Sequence, residues 1–282
     1  MDGRARAPAA GTVLNALACG KGSAFAIDEY TSAEVTLSGG GEVRGEIAGA
    51  PDADTRLIER CVELVTAEFG DGEGGTVRTE SEVPMASGLK SSSAAANATV
   101  LATLDALGVE GVNREAACRL GVRAARDVGV TVTGAFDDAS ASMLGGVTVT
   151  DNERDELLAC DAVEWDVLVW TPPEQSFSVD ADVERCRRVA PVAELVAELA
   201  LDGRYGEAMT VNGFAFTAAL DATAEPLLEA LPEVAGVSLS GTGPSVTAVG
   251  DRETLEVLRE TWETRPGTTW LTTTQTDGAR TR

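Results

Sequence analysis

The sequence contains no histidine, and only two of its 22 basic residues are lysines, Lys21 and Lys90. The absence of histidine excludes Ser-His-Asp hydrolysis, imidazole-ligated metal sites and histidine general bases. Any chemistry must therefore use carboxylates, hydroxyls, lysine or arginine. Both lysines lie in segments that contain glycine and serine, which makes them candidates for a binding site, although a solvated loop lysine is the common alternative.

Cysteine is scarce, and long apolar runs are absent from the sequence. The five cysteines are Cys19, Cys61, Cys118, Cys160 and Cys186. Their odd number, wide spacing and lack of a Cys-x-x-Cys pair argue against a disulfide framework or a zinc site, and predict buried apolar residues in a reducing compartment. No run is long enough to span a bilayer, and Asp2, Arg4 and Arg6 interrupt any leader-like pattern. We expect a soluble, cytoplasmic protein with no membrane partner.

Basic residues are few relative to acidic ones, at 22 against 46, so the formal net charge is −24 and the pI is near 4.3. The acidic residues are spread along the chain, which argues against nucleic acid as a partner. A dispersed acidic surface poor in lysine is typical of a protein in concentrated salt, where ions screen its self-repulsion. We expect the cytoplasm of a halophile; a merely acidic mesophilic protein is the alternative.

The chain has 282 residues and 44% hydrophobic content, which is enough for two moderate cores. Apolar periodicity predicts a mixture of strands and helices in both halves, so we expect an α+β protein. The polar run at residues 151–161 is the predicted boundary, giving domains of residues 1–155 and 156–282. We also expect a β-hairpin at residues 32–47, a loop that carries Asp137 and Asp138, and one helix over residues 181–200.

A glycine- and serine-containing loop at residues 84–93 follows a predicted strand and precedes an alanine-rich helix. The first turn of a helix has unpaired N–H groups and partial positive charge, and Gly88 allows the backbone to approach an anion closely. Serine hydroxyls and the Lys90 ammonium add further phosphate ligands. The loop therefore predicts a nucleotide site, with an ordinary serine N-cap as the alternative.

Neither lysine fits a P-loop, which requires G-x-x-x-x-G-K-(S/T), and no G-x-G-x-x-G opens a helix. The chain has instead three separate loops of this kind, at residues 7–11, 84–94 and 240–245. The central loop matches the motif P-x-x-x-G-L-x-S-S-(A/S), with Lys90 at its variable place. The third loop, Ser-Gly-Thr-Gly-Pro-Ser, matches a C-terminal glycine-rich loop, and residues 7–8 match an N-terminal motif weakly. In these motifs and their order the chain resembles the GHMP kinases.

Within that superfamily, residues 20–25, 88–93 and 131–139 look like the corresponding segments of the archaeal shikimate kinases. The resemblance covers nearly the whole chain. It implies a two-domain GHMP kinase fold, with an N-terminal domain like domain 2 of ribosomal protein S5 and a ferredoxin-like C-terminal domain. It also implies ATP-dependent phosphorylation of the 3-hydroxyl of shikimate, with ATP and Mg²⁺ as cofactors and shikimate as the small-molecule partner.

The resemblance also assigns site residues. For nucleotide binding these are Pro84, Ser87, Gly88, Leu89, Lys90, Ser91, Ser92, Ser93, Gly241 and Gly243. Asp137 aligns with the aspartate of an S-G-x-D-N segment in related kinases and is the expected catalytic base, with Asp138 second. An Asx-turn or helix N-cap is the alternative for the pair. Thr131 and Thr133, alternating on a predicted strand, are expected with Asp138 to bind the substrate hydroxyls.

Metal and lysine assignments follow from the same alignment. Ser92 aligns with the serine ligand of Mg²⁺, and Asp127 lies nearest to the acidic ligand. Related kinases carry A-P-G-K near the N-terminus, where this chain has Ala-Pro-Ala-Ala at residues 7–10, so Lys21 is the expected catalytic replacement. The residue that binds the substrate carboxylate stays open among Lys21, Arg4, Arg6 and Arg126.

Two further readings stay open at the level of sequence. One is a GHMP kinase for another small alcohol, such as homoserine or mevalonate. The other is a non-catalytic relative that binds nucleotide and a metabolite. We expect a monomer or a homodimer.

Overall fold

A computed structural model describes residues 1–131, 134–174 and 181–282 of the chain. The strands in these residues are β1 (Asp2–Leu14), β2 (Lys21–Ser38), β3 (Val43–Ile47), β4 (Gly74–Ser81), β5 (Val147–Asp151), β6 (Glu156–Asp161), β7 (Asp166–Thr171), β8 (Gly236–Leu239), β9 (Val246–Gly250), β10 (Thr268–Thr273) and β11 (Arg280–Thr281). The helices are α1 (Arg56–Phe69), α2 (Ser91–Ala106), α3 (Arg114–Val128), α4 (Phe136–Leu144), α5 (Val183–Arg187), α6 (Ala190–Leu201), α7 (Tyr205–Ala219), α8 (Glu225–Ala230) and α9 (Arg252–Trp262).

The first sheet is organised around the long strand β2. Its strand order is β11-β1-β2-β4-β3, and the first half of β2 also pairs with β5, which pairs in turn with β6. Strand β2 therefore joins the β4–β3 part of the sheet to the β5–β6 part. The hairpin expected at residues 32–47 is wrong: β3 pairs in parallel with β4, and β4 lies between β2 and β3. Helix α1 supplies the crossover that a parallel pair requires.

Helices α1 to α4 cover the first sheet, and small residues bring α2 very close to β1. A Cβ atom on Gly3 would lie 2.0 Å from the backbone oxygen of Ala102, so only glycine fits there. The alanines at 94, 98 and 102 are fully buried in the same core. This close packing fixes the axis of α2 and so the position of the loop at its N-terminus.

The second sheet has the antiparallel order β10-β7-β9-β8. With α5 to α8 between β7 and β8 and α9 between β9 and β10, its chain order is that of a ferredoxin-like βαββαβ unit. This confirms the expected α+β fold class. The single helix predicted at residues 181–200 is divided into α5 and α6, because Pro191 lies in the first turn of α6 and cannot continue a preceding helix.

The change of sheet along the chain falls between β6 and β7. Strand β6 pairs with β5, so residues 156–161 belong to the first sheet although they lie beyond the predicted boundary at 155. The terminal strand β11 also returns to the first sheet, beside β1. The division into domains 1–155 and 156–282 stays a prediction, while the sheets themselves divide a few residues later.

The structure bears on the expected burial of the cysteines and on the presence of membrane-spanning helices. All five cysteines are free; Cys61, Cys118 and Cys186 are buried as expected, whereas Cys160 is exposed on the outer strand β6. In the part of the chain that the structure describes, no helix combines the length and the apolar character that crossing a membrane requires.

Candidate active site

Three segments that are far apart in the sequence meet at the junction of the two sheets. The loop predicted at residues 7–11 is wrong, because these residues lie within the strand β1. The Gly241 N–H donates to Thr12 Oγ1 at 2.7 Å, and Asn15 Nδ2 donates to the Gly241 carbonyl oxygen at 2.8 Å. Ser240 Oγ donates to the Gly88 carbonyl oxygen at 2.9 Å. The end of β1, the loop before α2 and the loop after β8 are therefore hydrogen-bonded to one another.

Glycine is required where the second and third loops touch. Gly88 has a φ of +86°, and a Cβ atom there would lie 2.2 Å from the backbone oxygen of Ser240. The Ser245 N–H donates to the Ser87 carbonyl oxygen at 3.1 Å, and the Ala10 N–H donates to that of Leu89 at 3.2 Å. Ser87 and Leu89 are buried, and their backbone hydrogen bonds position the loop. Other residues of the loop are therefore the ones that can contact an anion.

The N-terminus of α2 is open to a ligand. Its N-cap is Lys90, which has a left-handed backbone conformation with a φ of 63°, and no side chain caps the helix. The first turn contains no acidic residue. Ser92 and Ser93 in this turn line a pocket. A serine N-cap was the alternative for this loop, and it is wrong, because the cap position belongs to the lysine.

Lys90 forms a largely buried ion pair beside the helix terminus. Its Nζ atom lies 2.9 Å from Asp138 Oδ1, and the two side chains are only 8% and 17% exposed. A Cβ atom on Gly241 would lie 2.9 Å from the same Nζ. The third loop therefore packs against the lysine and leaves room for its side chain.

Asp137 and Asp138 lie in the first turn of α4, and the loop predicted for them is wrong. The helix begins one residue before Asp137 because Gly134 and Ala135 both have positive φ angles, which turn the chain abruptly into the helix. Carboxylates in the first turn are favoured by the N–H groups and the dipole of the helix. This turn therefore places Asp138 beside Lys90 and Asp137 against β2.

Asp137 is 5% exposed, and one asparagine bonds both its side-chain carboxylate and its backbone N–H. Asn152 Nδ2 donates to Asp137 Oδ1 at 2.7 Å, while Asn152 Oδ1 accepts from the Asp137 N–H at 3.1 Å. A Cβ atom on Gly22 would lie 2.4 Å from Asp137 Oδ2, so β2 passes directly against the carboxylate. Burial, and then the negative charge of Asp138, raise the pKa of Asp137 to about 7, against the lowering effects of Lys90 and Asn152.

The cleft enclosed by these parts has a polar, charged lining. Its residues are Asn15, Ala16, Leu17, Lys90, Thr131, Ala135, Asp137, Asp138, Gly241 and Thr242. It combines a helix N-terminus for an anion, a buried ammonium group and a carboxylate whose pKa permits proton uptake near neutral pH. This combination suits the transfer of a charged group to a hydroxyl.

Several predicted site residues lie elsewhere. Lys21 Nζ pairs with Glu194 Oε2 at 2.6 Å. Successive strand residues face opposite sides, so Gly22 faces Asp137 and Lys21 faces away from it. Asp127 pairs with Arg60 at 2.8 Å on the protein surface. The structure therefore brings neither Lys21 to the Asp137 carboxylate nor Asp127 into the cleft lining, and their catalytic and metal-binding roles stay predictions without a supporting contact.

Thr131 lines the cleft and lies outside any strand after α3, while residues 132 and 133 of the expected strand lie outside the described residues. Its Oγ1 accepts from the Gly134 N–H at 3.1 Å, which helps to form the turn into α4. Thr133 lies outside the described residues.

The three arginines considered for a substrate carboxylate all have other contacts. Arg4 pairs with Glu34 at 3.3 Å, and the Arg6 guanidinium lies 4.0 Å from the centre of the Tyr30 ring. Arg126 binds the Asp155 carboxylate through two nitrogens, at 2.6 and 2.7 Å. None of these contacts selects one of them as the carboxylate ligand.

Sequence reasoning missed the two asparagines of the site. Asn15 follows the first strand, where a polar residue after an apolar run is a usable signal for a site at a strand end. Asn152 lies in the polar run interpreted as a domain boundary, where no local pattern distinguishes it. Its role depends on the register of β2 with β5, which brings Gly22 opposite Thr150.

The fold and the three glycine-containing segments around a buried aspartate define a kinase of the GHMP type, and residues 56–146 match the family model of the GHMP kinases N terminal domain. A solved homoserine kinase from Cytophaga hutchinsonii has the same fold, with a TM-score of 0.76, 16% identity and coverage of 100% of this chain and 97% of that one. At that identity the likeness concerns the fold alone.

Curated relatives define the branch. A shikimate kinase of Halobacterium salinarum is 66% identical over 283 residues, which is 100% of both chains. A shikimate kinase of Methanosarcina acetivorans is 52% identical over 264 residues, covering 93% of this chain and 90% of that one. The chain belongs to the family of the archaeal shikimate kinases. The salt-adapted composition agrees with the Halobacterium relative, and the homoserine and mevalonate alternatives are not favoured.

Proposed function

We propose that the chain transfers the γ-phosphoryl group of ATP to the 3-hydroxyl of shikimate, with Asp137 as the base. Full-length identity of 66% with a curated shikimate kinase supports the reaction. The observation that carries the mechanism is the buried Asp137 carboxylate, whose pKa is raised to about 7 in the cleft between the three segments. A group with a pKa near the working pH is suited to accept and release a proton.

The nucleotide phosphates bind at the N-terminus of α2. The backbone N–H groups of its first turn are left uncapped by a side chain, and Ser92 and Ser93 in this turn line a pocket. Ser91 is assigned to the same role from the sequence. The Gly88 and Gly241 loops close the opposite side. Small residues in both loops leave space for the triphosphate chain.

The substrate hydroxyl lies between the γ-phosphate and Asp137. Its oxygen forms the new bond to phosphorus as the bond to the β-phosphate oxygen breaks, and ADP leaves with that oxygen. The hydroxyl proton passes to the Asp137 carboxylate. Phosphoryl transfer needs mainly alignment and charge neutralisation, so the protein supplies the position and the proton acceptor.

Lys90 is placed to neutralise two kinds of negative charge, the carboxylate of Asp138 and the phosphates of the nucleotide. Its ammonium pairs with Asp138. Its position at the N-cap of the phosphate-binding helix puts the same ammonium beside the bound phosphates, where a charge-assisted hydrogen bond is strong. We therefore assign Lys90 to nucleotide binding, and Asp138 to its positioning and to contact with the substrate.

Mg²⁺ fits the site in one respect and not in another. The Ser92 hydroxyl is exposed beside the pocket and suits a hard cation that also takes phosphate oxygens and waters. Asp127 is held by Arg60, and among the described residues no cluster of three acidic side chains forms a cage for a metal. When bound, Mg²⁺ would neutralise charge on the β- and γ-phosphate oxygens. Ser92 is the residue that would hold it.

Other assignments remain part of the proposal. Thr131 lines the cleft and is placed to contact the substrate, and Thr133 is proposed for the same role from the sequence. The ligand of the substrate carboxylate, the choice between monomer and homodimer, and a cytoplasmic location stay predictions.

The experiment measures ADP release in molar KCl with Mg-ATP and, separately, shikimate, homoserine and mevalonate. We expect turnover with shikimate alone, and a product whose phosphorus NMR signal couples to the proton on carbon 3. Turnover only with another alcohol would contradict the substrate. ATP binding with no turnover on any of the three, in folded protein, would favour the non-catalytic alternative.

Asp137→Asn tests the base in the same assay. We expect the loss of several orders of magnitude in kcat with nearly unchanged ATP affinity, because the amide keeps the shape of the side chain but cannot accept the proton. The matched control is Asp54→Asn, which changes an aspartate that pairs with Arg56 outside the cleft lining and is expected to retain most of the turnover.

A further inference from the structure

Asn152 is 2% exposed and lies just beyond the end of β5, directly against the first turn of α4. Its side-chain amide makes two hydrogen bonds with Asp137. Nδ2 donates to Asp137 Oδ1 at 2.7 Å, and Oδ1 accepts from the Asp137 backbone N–H at 3.1 Å. Both the carboxylate and the backbone of Asp137 are therefore tied to the same amide group.

The two contacts with Asp137 set which way the amide faces, and a second buried side chain is compatible with that orientation. Thr150 Oγ1 lies 2.8 Å from Asn152 Oδ1 and donates to it. Reversing the amide would place its NH₂ group against the Asp137 N–H, and the carbonyl oxygen against the Asp137 carboxylate. Both new contacts would be repulsive, so Asn152 keeps its donor on the carboxylate.

We propose that Asn152 is a positioning residue for catalysis, which fixes the rotation of the Asp137 carboxylate and keeps it ready to accept the substrate proton. The inference rests on the proposed function, because it takes Asp137 as the base. It goes beyond that function by assigning a role to a residue outside the three segments.

The groups around Asp137 show that an uncharged side chain orients its carboxylate. The charged groups that act on it are Asp138 on its own helix and Lys90 on α2. From α3, the Arg126 guanidinium is bound to Asp155, and Arg119 bonds Glu115 and the Asp155 carbonyl oxygen.

From the sheet, Gly22 presents no side chain to the carboxylate. Thr148 and Ser140 are uncharged, and both bond the Asp137 carbonyl oxygen. Asn152 is therefore an uncharged side-chain donor that holds the carboxylate beside the ion pair of Lys90 and Asp138. Its hydrogen bond favours the ionised form of Asp137, which the burial opposes.

The test is the pH dependence of kcat for Asn152→Ala and Asn152→Asp, in molar KCl with saturating Mg-ATP and shikimate. For Asn152→Ala we expect the acid limb to move up by about one pH unit, because a hydrogen bond to the charged form is lost. The plateau kcat should fall about 10- to 100-fold, since the carboxylate loses its alignment. The KM for ATP should stay within about twofold of the wild type.

Asn152→Asp keeps the side-chain volume, so it decides the matter if the alanine variant does not fold. It sets a second carboxylate against Asp137, and we expect an upward move of the acid limb larger than that of Asn152→Ala. Asn97→Ala is the matched control, because Asn97 is also fully buried and bonds the Ala139 carbonyl oxygen on α4. It should lower the melting temperature without moving the acid limb.

The outcomes separate the two proposals. An unmoved acid limb in the folded Asn152 variants, or an equal move in Asn97→Ala, would overturn the inference while an inactive Asp137→Asn preserved the proposed function. Full turnover by Asp137→Asn would overturn both.

Discussion

Gly22→Ala is the substitution that tests the geometry of the site without removing any functional group. The new Cβ atom would lie 2.4 Å from Asp137 Oδ2, 2.5 Å from Cγ and 2.6 Å from Cβ. Ordinary contacts between such atoms require about 3.5 Å, so the aspartate has to move by about 1 Å. The strand cannot easily give way, because β2 is paired on this segment with both β1 and β5.

A displacement of this size has a calculable effect on turnover. Misplacing a reacting group by about 1 Å costs on the order of 100-fold in rate, which corresponds to about 2.7 kcal/mol in the activation barrier. The overpacked site should also lower the free energy of unfolding by about 1–3 kcal/mol. Nucleotide affinity should hardly change, because Gly22 lies outside the two loops that receive the phosphates.

The assay compares kcat, the KM for ATP and the melting temperature at pH 8 in molar KCl, where Asp137 is ionised. Gly39→Ala is the matched control. It lies in the turn after β2, and in the described residues no atom beyond its chain neighbours would come within 4 Å of a Cβ there. The reasoning would be refuted if Gly22→Ala were folded and retained kcat within about twofold of the wild type while Asp137→Asn was inactive.

Four more outcomes are expected. Because burial raises the pKa of Asp137 from 3.8 to about 7, kcat should fall as the pH drops below about 7. The same shift means that the folded protein binds this proton more tightly than the unfolded chain, so the free energy of unfolding should decrease as pH rises from 3.8 towards 7. If Asp137 causes this decrease, melting curves of Asp137→Asn should lack it; an identical decrease in the variant would contradict the assignment. Lys90→Ala should weaken ATP binding by about tenfold or more, with Lys90→Arg as the control that keeps the charge; an unchanged Kd would mean that Lys90 serves only to pair with Asp138. At a net charge of −24, the melting temperature should rise between about 0.1 M and molar KCl as salt screens the repulsion, and a flat response would remove the argument for salt adaptation.

Features set by local sequence were predictable. The glycine of the central loop, the serines after it and the alanine-rich run together specify a loop, an open helix N-terminus and a helix that packs closely, and the structure has these features at α2. Asn113 is a residue type typical of a helix N-cap, and it accepts a hydrogen bond from the Ala116 N–H. These interactions join residues that are near in the chain, so the pattern contains their cause.

Features set by pairing between distant segments were not predictable. The alternation in β3 is equally suited to β2 or β4 as partner, and only the packed sheet decides for β4. The contact between Gly22 and Asp137 joins residues more than a hundred positions apart. The Gly-Lys-Gly segment drew attention to its lysine, whereas the glycine after it is the residue that touches the aspartate.

The most direct test is the steady-state rate of ADP release with shikimate, measured side by side for the wild type and Asp137→Asn, together with the ATP dissociation constant of each. The account predicts shikimate-dependent turnover in the wild type, a loss of several orders of magnitude in the variant, and nearly equal ATP affinity. Wild-type turnover in a folded Asp137→Asn protein would contradict it.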